Sequence, residues 1–76
     1  MQYEYSSAKK ASNLKKHGLN FDDAKQIIES TQTVTLEDNR YDYGEVRYIM
    51  LGLLNSDVVV IVMTETKPTI RIISMI

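Results

Sequence analysis

Val58–Met63 is an unbroken apolar run, and all of it except Met63 is β-branched. Side chains branched at Cβ are stiff at χ1 and pack best on a pleated surface, and a run this short is a strand rather than a helix. Because no polar residue alternates with the apolar ones, the run is expected to be a central strand covered on both faces. The rest of the fold has to be built around it with little material. A chain of 76 residues makes one domain, 1–76, and a domain of this size buries only about 60% of the surface its unfolded chain exposes.

Punctuation around the run divides the chain into a helical first third and a strand-rich remainder. Tyr3 and Tyr5 alternate with polar neighbours and suggest a short first strand. Ser6 and Ser7 are N-cap residues for a helix over Ala8–His17, and Gly18 stands where a left-handed C′ residue belongs. Its apolar stripe, Ala8, Ala11 and Leu14, is weak, so this helix should be mostly exposed. Asn20 caps a second helix that should end near Ser30, with Asp22 and Asp23 at its positive end. Phe21, Ala24, Ile27 and Ile28 give that helix one buried face. Strands are then expected at Thr33–Leu36, Val46–Leu54, Val58–Glu65 and Ile70–Ile76. The polar loop Glu37–Gly44, the turn Asn55-Ser56-Asp57 and the turn around Pro68 separate them. The order β-α-α-β-β-β-β reads as an α+β domain, an antiparallel sheet with two N-terminal helices packed on one face.

Composition removes several function classes. With no cysteine there is no disulfide, and with His17 as the single histidine a His/Cys zinc site within one chain is excluded. No metal or cofactor is therefore expected. The apolar run is far shorter than the roughly 20 residues of a membrane helix, and Met1–Ser7 is too polar for a signal peptide. A soluble, cytoplasmic protein without a membrane partner is expected. The formal charge of −1 is unevenly spread. Lys9, Lys10, Lys15, Lys16 and Lys25 outnumber Glu4, Asp22 and Asp23 in the first third, whereas carboxylates dominate residues 26–57. A basic face on a nearly neutral molecule is thus available.

Neither a glycine-rich phosphate loop nor a nucleophilic triad can be recognised. What remains is a set of cations, Lys9, Lys16, His17, Arg47 and Arg71, with one nearby acid, Glu45. Each has a plainer role beside a functional one. His17 at a helix C-terminus favours the dipole by itself. Lys9 and Lys16 suit a solvated helix face as well as a polyanion. Glu45 and Arg47, two apart on a strand, can pair electrostatically. Arg71, between Ile70 and Ile72, is expected on an exposed sheet face. The five tyrosines could stack on bases or fill the margin of the core.

Lys9-x-x-x-Asn13-x-x-Lys16-His17-Gly18-Leu19-x-Phe21-x-x-Ala24 resembles the K-x-x-x-N-x-x-K-H-G-V-x-F-x-x-A signature of the BrnT family. Glu45-x-Arg47-Tyr48, Gly52, Val59–Thr64 and Arg71-Ile72-Ile73-Ser74 resemble its later segments in order. The resemblance implies a bacterial ribonuclease toxin of a type II toxin–antitoxin operon, with a RelE-like fold, held by a BrnA-like antitoxin. It implies metal-independent cleavage of RNA. Arg47 and Arg71 would bind the phosphate, Glu45 and His17 would move protons, and Lys9 and Lys16 would follow the RNA backbone.

The chain also departs from the family pattern. Tyr5-Ser6 stands where W-D is usual, Thr64-Glu65-Thr66 lacks an arginine, and Ser74-Met75-Ile76 lacks another. The family pattern continues with a charged helix after the position of Ile76. These departures raise a second expectation, a catalytically inactive relative that acts only as a protein-binding partner. They also suggest that Ile70–Ile76, uncovered, pairs with another chain to form a homo-oligomer.

Overall fold

The computed structural model describes residues 2–40, 42, 44–66 and 68–76. Tyr41 and Tyr43, two of the candidate base-stacking residues, lie outside them. The elements are β1 (Gln2–Glu4), α1 (Ser7–His17), a 3-10 turn over Phe21–Asp23, α2 (Ala24–Ile28), β2 (Val34–Asp38), β3 (Arg47–Leu54), β4 (Asp57–Thr66) and β5 (Thr69–Met75). They make an α+β domain with a single five-stranded sheet in the order β1-β5-β4-β3-β2. The apolar run lies on β4, the central strand.

The sheet is mixed rather than antiparallel. β2–β3, β3–β4 and β4–β5 pair antiparallel, but β1 runs parallel to β5, with Tyr3 opposite Ile70 and Glu4 opposite Arg71. A hairpin forces its two strands to oppose each other. β1 joins the sheet through helices, so no turn dictates its direction. The parallel ladder starts where Gln2 N donates to the Pro68 carbonyl at 3.0 Å.

Local signals explain the helices. Ser6 Oγ accepts from Lys9 N at 3.2 Å, and Gly18, at φ 69°, ends α1 in the left-handed conformation that glycine adopts without a Cβ clash. Asn20 Oδ1 accepts from Asp22 N at 2.9 Å. The expected second helix begins as a 3-10 turn and becomes α-helical only at Ala24. The β3–β4 hairpin closes on Asn55 and Ser56, both with positive φ, while Asp57 already pairs with Leu54. Two such residues match the twist of the flanking strands.

Phe21, Ala24 and Ile27 form one buried cluster with Met50, Val59, Ile61, Met63, Ile70, Ile72 and Met75. Ile27 comes so close to β3 that a Cβ on Gly52 would lie 2.4 Å from its Cγ2. α1 docks differently from the expected stripe: Ala8, Ala11 and Leu14 are exposed, and Asn13 is buried. The Asn13 amide explains this. Its Nδ2 donates to the Leu19 carbonyl at 3.2 Å, and its Oδ1 accepts from Met75 N at 3.1 Å. Lys10 adds a salt bridge to Asp22 at 2.7 Å. Tyr5 also donates to Asp22 and meets the Phe21 ring edge-on.

β4 is covered on one face only, contrary to the expectation for Val58–Met63. Val59, Ile61 and Met63 are buried, whereas Val60 and Val62 are half-buried and Val58 is exposed. Strand alternation puts Val58, Val60 and Val62 on the other face with Leu51 and Leu53 of β3 and Leu36 and Val34 of β2. The absence of polar alternation therefore marks an apolar outer face and not a second covering layer. β5 is likewise not an edge strand, because β1 pairs with its first half and Asn13 takes the Met75 N–H in its second.

Asn13→Ala should destabilise the fold by about 1–3 kcal/mol in urea unfolding, since it leaves the buried Met75 N–H unpaired. Lys15→Ala, an exposed change on the same helix, should stay within about 0.5 kcal/mol of the parent.

Candidate functional site

The outer face of the sheet changes character along its strands. From Val34, Leu51 and Val58 it is aliphatic as far as Ile49 and Val62. Then the paired row Asp38, Arg47, Thr64, Arg71 and Glu4 crosses all five strands. Alternation keeps this polar row on the same face as the aliphatic residues.

Glu45, two residues before Arg47, folds onto this row and bridges its arginines. Arg47 Nε donates to Glu45 Oε2 at 3.2 Å, and Arg71 Nη2 donates to Oε1 at 2.7 Å and Oε2 at 2.9 Å. Arg71 and Glu45 are 26 residues apart, so the β3–β4–β5 register brings them together. Partial removal from water pushes the Glu45 carboxyl up, but the Arg47 hydrogen bond and the Arg71 charge outweigh it and hold the group below the usual carboxylate range. The Thr64 hydroxyl donates to the Val46 carbonyl at 2.8 Å and ties the start of β3 to β4. Asp38, its side chain buried, receives a two-pronged contact from Arg40 at 2.9 and 3.0 Å. Among the described residues no buried side-chain polar atom lacks a partner.

Glu4, Glu45, Thr64, Thr66, Thr69 and Arg71 line a depression of about 110 Å³ here. Chemically it offers the Arg71 guanidinium for an anion, with Arg47 on the other side of Glu45, the Glu45 carboxylate, which is ionised at neutral pH, and a rim of hydroxyls. Sequence reasoning singled out Glu45, Arg47 and Arg71. It missed Glu4, which reaches the row only through the parallel β1–β5 pairing, and the threonines. The Thr64/Thr66 alternation followed by Thr69 across the turn was their available signal.

Lys9, Lys16 and His17 lie elsewhere. They line a second depression, of about 190 Å³, with Ser12, Asn13, Ile73 and Ser74, between α1 and the end of β5. The six candidate residues thus fall into two groups of three, joined by β5, which contributes Arg71 to one and Ser74 to the other. Among the described residues no three His, Cys, Asp or Glu side chains converge as metal ligands, and no helix is long and apolar enough to cross a membrane.

No curated protein matches the sequence significantly. The model of the BrnT family, ribonuclease toxins of type II toxin–antitoxin systems, matches residues 5–75. That span contains the helical signature, the Glu45-x-Arg47 segment and the Arg71 strand, and with nearly the whole chain covered, this protein belongs to the BrnT family of ribonuclease toxins.

Proposed function

We propose that this chain is a metal-independent endoribonuclease with a RelE-like arrangement, both helices on the covered face of the sheet and the chemistry on the open one. The observation that carries the reading is the Arg47–Glu45–Arg71 bridge on that open face, in a chain of a ribonuclease toxin family. RNA supplies its own nucleophile. The 2′-oxygen attacks the adjacent phosphorus, the bond to the 5′-oxygen breaks, and a 2′,3′-cyclic phosphate and a 5′-hydroxyl result. Arg47 and Arg71 face the charge that builds on the phosphorane, a task suited to groups that stay protonated and present a planar fork of donors. Glu45, ionised in the resting site, accepts the 2′-hydroxyl proton, and solvent in the open depression protonates the leaving oxygen. The fixed guanidinium charges take the place that a metal ion holds in other nucleases.

The partner is a BrnA-like antitoxin, and its docking surface is the aliphatic part of the same face. Val34, Leu36, Leu51, Leu53, Val58 and Ile76 are each between 38% and 65% exposed. A contiguous apolar patch of this kind marks an interaction site rather than ordinary surface. A protein seated on it also covers the arginine row next to it, so neutralisation follows from shared location. Pairing through β5 is not part of this reading, because β1 takes the first part of that strand's edge and Asn13 takes the Met75 N–H beyond it.

Arg71→Ala should lower the cleavage rate of single-stranded RNA, assayed with a chelator present, on the order of 10²-fold or more. Absence of cleavage by the parent protein, with antitoxin binding retained, would instead establish the protein-binding relative. Glu45→Gln separates two roles of the carboxylate. Freed from it, the arginines should bind a 2′-O-methyl oligonucleotide several-fold more tightly, while cleavage falls by about 10²-fold. Leu53→Asp should abolish co-purification with the co-expressed antitoxin and leave cleavage intact; unchanged co-purification would place the antitoxin elsewhere.

A further inference from the structure

We propose that the depression between α1 and the end of β5 is a separate anion site, which holds an RNA phosphate flanking the scissile one. The identity of the anion as RNA rests on the ribonuclease reading; the ability to bind an anion does not.

Three observations converge on it. First, the two depressions differ in charge. Glu4 and Glu45 offset Arg71 in the first, whereas Lys9, Lys16 and His17 line the second without any carboxylate. The first is built for chemistry on a group already in place, and the second for attraction.

Second, Lys9 is placed against local electrostatics. It lies in the first turn of α1, which holds no acidic residue, at the end of the helix where the dipole disfavours a cation. Its neighbour Lys10 is compensated by Asp22. No carboxylate pairs with Lys9 or Lys16 among the described residues. A rule broken locally without compensation is expected where function requires it.

Third, the walls are fixed. Lys9, Ser12, Asn13 and Lys16 share one helix face at i, i+3, i+4 and i+7. The bonds from Asn13 to Leu19 and Met75 lock that face against β5. Ile73 and Ser74 both reach the depression because the β4–β5 register shifts between Val62 and Met63. Met63 pairs with Ile72 and Val62 with Ser74, so Ile73 is an extra residue. Such bulges re-aim side chains beside functional sites. Arg71 and Ser74 are then about 10 Å apart along β5, so one single strand of RNA crossing β5 meets both depressions. In this arrangement His17 binds the flanking phosphate instead of moving protons at the scissile one.

The test compares the parent with the double variant Lys9→Ala/Lys16→Ala. A 2′-O-methyl oligonucleotide, which lacks the nucleophile, is titrated at several salt concentrations. The magnitude of the slope of log K against log salt should fall by about 0.7 for each phosphate that the variant no longer neutralises. In cleavage, the effect should fall on KM, about tenfold, with His17→Gln acting the same way, whereas Arg71→Ala acts on kcat. An unchanged salt slope in the double variant would overturn the proposal, as would a His17→Gln effect confined to kcat. If the parent binds the oligonucleotide with the predicted slope yet cuts no RNA, the ribonuclease reading fails and the anion site stands.

Discussion

The side-chain amide of Asn13 is the point on which the arrangement of this small domain turns. α1 has almost no apolar face to bury, so hydrophobic contact alone does not dock it. The amide does so by taking the Met75 N–H with one atom and the Leu19 carbonyl with the other. Both are backbone groups that burial would otherwise leave unpaired. One bond closes the edge of β5 beyond β1, and the other holds the connection into the 3-10 turn that delivers Phe21 to the core. Since Lys9 and Lys16 flank Asn13 on the helix and Arg71 precedes Met75 on the strand, the same pair of bonds sets the two cationic groups in relation to each other.

Charge on the open face is arranged by the sheet register. Arg47 and Arg71 stand two strands apart in one row with Thr64 between them, and Glu45 offsets their like charge by accepting from both. Such a cluster is held ready at modest cost to stability, because its members remain partly in water and are not desolvated as a buried triad would be. Among the contacts of the described residues only Nη2 of Arg71 meets Glu45, and in the proposed reading the rest of its fork takes a phosphate oxygen. The aliphatic residues beside it are exposed although the core on the other face is closed, which is why the proposed antitoxin contact is placed on them.

Much of this was legible in the chain. The caps at Ser6, Gly18 and Asn20, the Phe21-Ala24-Ile27 face and the hairpin at Asn55-Ser56 are local signals, and they place helices and strands close to their observed bounds. Alternation around Arg71 puts it on an exposed face, and the likeness to BrnT segments points to Glu45, Arg47 and Arg71 together. Four features were hidden. The direction of β1 depends on a pairing with residues near the other end of the chain. The docking of α1 through an asparagine looks, in sequence, like a weak stripe of alanine and leucine. The second face of β4 is apolar whether it meets another layer of the same chain or a partner, and periodicity is the same in both cases. The separation of His17 from Glu45 is of the same kind, since only the tertiary fold decides which cations share a depression.

In the proposed reading, Arg47 and Arg71 together form the phosphodiester-binding centre on the open face. The most direct measurement is an NMR titration of the arginine side-chain Nε–Hε signals with a 2′-O-methyl RNA oligonucleotide. The Arg47 and Arg71 signals should shift together, with one midpoint, while Arg40 stays in place on Asp38. Shifts confined to Arg40, or none at Arg47 and Arg71 at saturating oligonucleotide, would contradict it.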